Sequence, residues 1–246
     1  TTTGGTTKNG NFGYTQYASK TLTASDGTQN SSTRYLMNYL NGGTNKDKSM
    51  ATAFKNFQTG PLANYLDKLK AGDWCLADKA YATSSDNTTA LTSQEMLDKQ
   101  VKSTSFYYDS YVRLIGKTTK EPTLKCNGTV MTKFADENNT DMYVGTLTAD
   151  EIVYAGGKVG SGNTDYYLIN DYRNGLYFWS LSPYCFAGND FAFDVISNGD
   201  VSSSNDVSHS YSFRPAVTLL SSTQITGGNG TKANAYTIAD WRTLLI

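Results

Sequence analysis

The sequence predicts an α+β fold. Three observations lead there. Helix start and stop signals crowd the first half of the chain, strand-like runs crowd the second half, and this segregation argues against a regular βαβ alternation. The 246 residues suffice for a buried core, and no internal repeat or composition break divides them. Residues 1–33, rich in Thr, Gly and Asn with an aromatic patch at Phe12, Tyr14 and Tyr17, read as an irregular or extended arm. Residues 34–246 read as one domain.

Each element has a local cause. Thr33 is placed to cap Arg34–Leu40, which Gly42-Gly43 would end. Ser49 is placed to cap Met50–Phe57. Pro61 suits the first turn of a helix over Leu62–Lys70, in which Leu62, Tyr65, Leu66 and Leu69 share a face and Gly72 is the stop. Thr92 followed by Glu95 forms a capping box for a helix from Ser93 to Lys102. Ser110–Ile115 alternates around β-prone Tyr111 and Val112 and predicts a strand. Thr123–Cys126 and Thr129–Phe134 flank Asn127-Gly128 and predict a hairpin. Asp141–Thr146 is a further strand. Thr148 with Glu151 opens a short helix that Gly156-Gly157 closes. Strands are expected at Tyr166–Ile169, Tyr177–Leu181, Phe191–Ile196, Asp200–Ser202 and Ser212–Leu220, with a turn at Asn198-Gly199.

Composition excludes several functions. Lys and Arg number 21 against 22 Asp and Glu, a net charge of -1, so no global field holds nucleic acid or anionic lipid. No apolar run is long enough to span a membrane. The first residue is Thr rather than Met, so any signal or anchoring segment is expected to have been removed or to lie outside this chain. One histidine, His209, and three cysteines without paired spacing leave no zinc motif, so no metal or other cofactor is expected. The Asp136-Glu137-Asn138-Asn139 loop with Asp141 carries calcium-like oxygens but lacks EF-hand spacing, and reads as a solvated loop.

Charged residues are 17% of the chain, whereas Tyr reaches 18 and Gly 22. A surface made soluble by hydroxyls and amides is common in secreted and cell-surface β-rich proteins. Cys75 paired with Cys126 would close a long loop and stabilise the fold in an oxidising compartment; the alternative is two buried free thiols. Cys185 is then left over. Five N-x-S/T sequons, at Asn30, Asn87, Asn127, Asn138 and Asn229, are expected by chance in a chain so rich in Asn and Thr.

The segment from Leu176 to Leu219 is the most informative. Apolar blocks at Tyr177-Phe178-Trp179 and Phe213 to Val217 bracket a stretch of Ser, Asn, Asp, Tyr and Phe. That mixture is typical of recognition surfaces, where aromatics supply area at low entropy cost and small polar groups supply adaptable hydrogen bonds. Trp179-Ser-Leu-Ser-Pro183, Asn198-Gly199-Asp200-Val201 and Phe213-Arg214-Pro215-Ala216-Val217 together resemble the C-terminal end of C-type-lectin-fold proteins. Within them the pattern is most similar to the variable proteins of diversity-generating retroelements and to pilin-like surface proteins of gut bacteria. The resemblance covers about the last third of the chain. Gly72-Asp-Trp-Cys75, Phe106 to Leu114 and Thr123 to Cys126 also resemble pilin-like members.

The resemblance implies a C-type-lectin-like fold related to the formylglycine-generating enzyme, with a variable region at about 180–217. Such retroelements mutate adenines, so AAC and AAT codons reach most residues but not Lys, Glu, Gln, Met or Trp. These five types number 34 in the chain, yet none lies between Ser180 and Thr223, where about six would fall by chance. Random codon replacement would also account for Cys185 and His209 without a chemical role.

On this reading the ligand-binding patch comprises Tyr184, Cys185, Phe186, Asn189, Asp190, Phe191, Phe193, Asp194, Ile196, Ser203, Asn205, Asp206, His209 and Tyr211. Ala192 and Val195 would face the core, leaving Phe191, Phe193, Asp194 and Ile196 more exposed. The competing reading makes Phe186, Phe191 and Phe193 plain core. Trp179, Pro183, Gly199, Arg214 and Pro215 are assigned to structure, Arg214 through its hydrogen-bonding fork. The Glu-Pro-Asn and Trp-Asn-Asp signatures of calcium-dependent sugar binding are missing, since Glu121-Pro122 continues to Thr123 and Trp179 to Ser180. Formylglycine-type oxidation wants a cysteine pair near the C-terminus, where only Cys185 stands. The expectation is therefore a non-enzymatic, surface-displayed adhesin or receptor-binding protein. Its partner would be a protein or glycan on another cell or phage, and its place the bacterial surface, a pilus or a phage particle. The alternative is a structural pilin or surface-layer subunit, and an enzyme of the formylglycine-generating type stands third.

Overall fold

The computed structural model describes residues 22–30, 50–86, 88–134, 138–163, 177–202, 211–229, 233–234 and 236–238. Helices expected at Arg34–Leu40 and strands at Tyr166–Ile169 lie outside them, as do Phe12, Tyr14 and Tyr17.

Strands β1 (Leu22–Thr23) and β2 (Gln29–Asn30) form a small hairpin. Helix α1 is Met50–Thr59. The helix expected after Pro61 is a 3-10 helix over Ala63–Lys68, and Leu69–Lys70 leaves it as β3. Gly72 then turns the chain with φ +86°, where a Cβ would sit 2.8 Å from the Thr132 backbone. Next come β4 (Trp74–Asp78), β5 (Ala80–Tyr81) and α2 (Ser93–Val101). The Thr92–Glu95 capping box forms as expected. The β1–β2 hairpin docks on α2: the Ser25 N–H donates to Asp98 at 2.8 Å and Lys102 pairs with Asp26 at 2.6 Å.

The segment after β6 (Phe106–Tyr108) corrects the sequence reading. Residues expected as a strand over Ser110–Ile115 are α3 (Asp109–Tyr111) running into a π-helical turn over Val112–Gly116. Arg113 pairs with Asp109 one turn back and with Asp150 far along the chain, which stabilises the helical path over the β-prone side chains. The hairpin expected at Asn127-Gly128 is also absent among the described residues. Strand β7 (Gly128–Met131) pairs instead with β4, and Cys126 is bonded to Cys75, with Cα atoms 5.5 Å apart.

Strand β8 (Val144–Gly145) and helix α4 (Ala149–Tyr154) follow, the latter with the expected Thr148–Glu151 capping box and a stop at Gly156 with φ +107°. The C-terminal part holds β9 (Phe178–Phe186), β10 (Asp190–Val195), β11 (Val201–Ser202), β12 (Ser212–Phe213), β13 (Ala216–Leu219), β14 (Ile225–Gly227) and β15 (Thr237–Ile238). The Ser212–Leu220 run is thus split at Arg214-Pro215, since proline offers no N–H to a ladder.

The architecture is mixed α+β and mostly antiparallel. The main sheet runs β11-β10-β9-β6-β5, with β12 lying parallel to the opposite end of β9. A second sheet runs β3-β13-β8. Strand β9 connects three apolar clusters. Its Trp179 and Leu181 pack with Met50 and Phe54 of α1, Trp74 and Val144. Its Phe178 joins Phe193, Leu114 and Ile152, while its Phe186 joins Phe106, Ala80 and Tyr108. Both faces of the β9–β10 hairpin are therefore covered, and burial along it is nearly continuous rather than alternating.

Candidate functional site

The local geometry of β9 decides which side chains reach the surface. From the Phe186↔Asp190 pair to the Phe178↔Val195 pair, β9 carries three more residues than β10. These bulges fall around Pro183, which cannot complete a ladder in any case. The non-sheet edge of β9 is satisfied by neighbours: the Leu181 N–H donates to the Leu147 carbonyl at 2.8 Å, and the Ser182 hydroxyl accepts from the Ala149 N–H at 3.0 Å. Period-two alternation is lost here, and with it the inward and outward assignment made from the sequence.

The expectation of exposure is corrected at several positions. Phe186, Asp190, Phe193 and Asp194 are fully buried, and Cys185 is only 6% exposed. Tyr184, Phe191, Ile196 and Tyr211 are half-buried, and Asn189 is exposed at the hairpin tip beside Gly188. Ser203, Asn205, Asp206 and His209 lie outside the described residues. Among the residues assigned to structure, Trp179 and Pro183 are buried, and Gly199 turns with φ +84°. Arg214 sets its guanidinium 4.8 Å over the Phe178 ring, a packing role beside half-buried Pro215.

What survives at the surface is a tyrosine shelf. Phe191 pairs with Cys185, and Cys185 pairs with Tyr107 of β6, so these three stand side by side across the sheet. Tyr107 packs on Tyr111 of α3 at 4.8 Å between centroids, Tyr111 meets Tyr184 edge-on at 4.6 Å, and Tyr184 meets buried Phe193 at 4.8 Å. Tyr107, Tyr111, Tyr184 and Phe191 are all half-buried, each with part of its surface in solvent. Burial raises the Tyr184 phenol, helped by the neighbouring Tyr111 and Cys185. Burial also raises the Tyr111 phenol. Both stay protonated at neutral pH and remain hydrogen-bond donors. Tyr107 and Tyr111 were missed as site residues because the strand expected over Ser110–Ile115 misplaces Tyr111; the local density of tyrosine was the available signal.

A second feature lies by the disulfide. A cleft of about 120 Å³ is lined by Trp74, Thr146, Thr148, Ser182 and the segment Thr123–Cys126. Arg113 closes one end, donating from Nε and Nη2 to the two oxygens of Asp150 at 3.1 and 2.8 Å, and from Nη1 to Asp109. Asp109 also accepts from Asn127 Nδ2 at 2.7 Å, and Asp150 from the Thr123 N–H at 3.0 Å. Both carboxylates are thus held by one guanidinium and by further hydrogen bonds, an arrangement that ties α3, α4 and the 123–127 segment together. Asp109 and Arg113 stand at i,i+4 spacing, but that signal was lost under the strand expected there, and no spacing reveals the approach of Asp150 and Asn127.

Among the described residues no group of three His, Cys, Asp or Glu side chains could hold a metal ion. Asp136 and Glu137 lie outside them, and Asp141 faces Lys133 at 3.5 Å. No helix of the described residues is long and apolar enough to cross a membrane. Compared with known proteins, the chain matches no family model, no curated protein and no solved structure.

Proposed function

We propose that this chain is a surface-displayed recognition protein that binds a protein or glycan on another cell or phage, without catalysis. The observation that carries the reading is the row of Tyr107, Tyr111 and Tyr184, with Phe191 beside it, carried by β6, α3 and the β9–β10 hairpin, where Phe178, Phe186 and Phe193 are locked in the core. Such a platform offers aromatic area already held in place, so little side-chain entropy is lost on binding. The Cys75–Cys126 disulfide supports an oxidising, extracellular address. The motifs around Trp179, Asn198-Gly199 and Phe213-Arg214-Pro215 support membership among C-type-lectin-fold variable proteins. In that case the diversified positions are Tyr184, Asn189, Phe191, Ile196 and Tyr211, not the buried ones.

Two measurements test this. The purified chain is screened on glycan and surface-protein arrays beside Tyr111→Ala and Tyr184→Ala; binding that weakens about tenfold or more in both supports the reading, and binding indifferent to both overturns it. The genomic locus is sequenced for a template copy beside a reverse transcriptase. Adenine-only differences concentrated in codons 184, 189, 191, 196 and 211 support the family. Differences spread equally over codons 186 and 193, or no such copy, remove it.

One observation favours a structural pilin or surface-layer subunit instead. Ile225 of the narrow β14–β15 ribbon and Tyr236 just before β15 are 58% and 56% exposed, apolar surface that an assembly would cover.

A further inference from the structure

We propose that residues 117–127 form a strap clipped shut by the Cys75–Cys126 disulfide, and that a dithiol reductant opens the strap while the rest of the fold stays closed.

The strap contains no helix or strand and no buried residue, and its Leu124 is 64% exposed. Both of its ends are fixed. At one end a Cβ on Gly116 would lie 1.5 Å from the Ser84 carbonyl oxygen, so that glycine is wedged against the body. At the other end Gly128 enters β7, paired with Asp78 of β4. Between these points the strap rests on polar contacts: the Lys117 N–H to the Val112 carbonyl at 3.0 Å, Lys120 Nζ to the Ile115 carbonyl at 2.7 Å, the Thr123 N–H to Asp150, and Asn127 Nδ2 to Asp109.

The two carboxylates under the strap are what make it releasable. Asp109 and Asp150 are both held by Arg113, which belongs to the body. When Thr123 and Asn127 leave, neither acid becomes an unpaired buried charge, and water replaces the lost donors. The covalent clip is the contact that water cannot replace. Cys75 and Cys126 are half-buried, so a small thiol can reach the bond. One thiolate of the dithiol attacks a sulfur of the pair and forms a mixed disulfide. The second thiol then closes the reductant's own ring. Two electrons and two protons end on Cys75 and Cys126, and the reductant departs oxidised. Opening removes the wall of the cleft formed by residues 123–126, which bares Ser182 and the Arg113–Asp150 pair.

The test is limited trypsin digestion of the folded chain with and without dithiothreitol, read by peptide mass. Reduction should raise cleavage after Lys120 and Lys125 about tenfold or more, while cleavage after Lys55 and Lys99 stays as it was. Hydrogen exchange on the reduced wild type should show the same pattern. The double variant Cys75→Ser, Cys126→Ser should behave as reduced protein without dithiothreitol, and adding Asn127→Ala should open the strap further only when the disulfide is absent. Cleavage rising together across the chain on reduction would show a global staple rather than a strap. An unchanged strap would show that the Arg113 cluster alone holds it. Either result overturns the proposal.

Discussion

The Ser110 hydroxyl donates to the Pro183 carbonyl at 2.7 Å, joining the start of α3 to the middle of β9 across 73 residues. Pro183 sits among the β9 bulges, beyond the reach of both β6 and β12. The hydroxyl takes the place that a strand partner would fill. It also fixes α3, and with it Tyr111, against the strand that carries Tyr184.

Replacing that donor should therefore cost stability out of proportion to its size. Ser110 is fully buried. Ser110→Ala is expected to lower unfolding free energy by about 1–3 kcal/mol. The exposed control Ser85→Ala should stay within about 0.5 kcal/mol of wild type. Urea denaturation of both checks this, and equal midpoints would mean that the bond contributes nothing.

The split between buried and exposed faces of the hairpin makes a second prediction. Phe193→Ala removes a ring packed among Leu114, Ile152, Phe178 and Val195, and should cost about 3–5 kcal/mol. Asn189→Ala, at the exposed tip, should change stability by less than about 0.5 kcal/mol. Half-buried Phe191→Ala should fall between them. If Phe193→Ala proves as mild as Asn189→Ala, the ring does not lie in the core.

Which of these features the sequence disclosed depends on how local their causes are. The capping boxes at Thr92–Glu95 and Thr148–Glu151 each close within four residues, and both were legible. The Asn198-Gly199 turn and the Cys75–Cys126 pairing were legible for similar reasons of turn chemistry and cysteine count. The helix at 109–116 was not, because its Arg113 is held partly by Asp150, whose approach no spacing reveals. Leu69-Lys70 reads as helix until β13 claims it as a strand partner. The shelf was half legible. Tyr184 and Phe191 belong to the patch that the resemblance implies, but the bulged register that accompanies the burial of Phe193 and Asp194 depends on contacts on both faces of the sheet.

Cys185 supplies the last prediction, at alkaline pH. Its thiol is pushed up to about 12, first by burial and then by the negative charge of Asp190. In the unfolded chain the same thiol ionises near pH 9. Above that pH the unfolded state holds fewer protons than the native state, so the stability that Cys185 contributes is complete below pH 9 and declines as pH rises toward 12. The decline amounts to about 1 kcal/mol by pH 10. The Tyr108 and Tyr184 phenols, also raised by burial, act in the same direction but begin only near pH 10. Cys185→Ala should therefore flatten the fall in stability between pH 8 and pH 10, measured by urea denaturation at each pH. Alongside it, the native disulfide-bonded protein should leave a thiol reagent unreacted at pH 8, and unfolding should release a single reactive thiol. An unchanged alkaline slope in the variant, or rapid labelling of the native protein, would place Cys185 at the surface and return it to the patch read from the sequence.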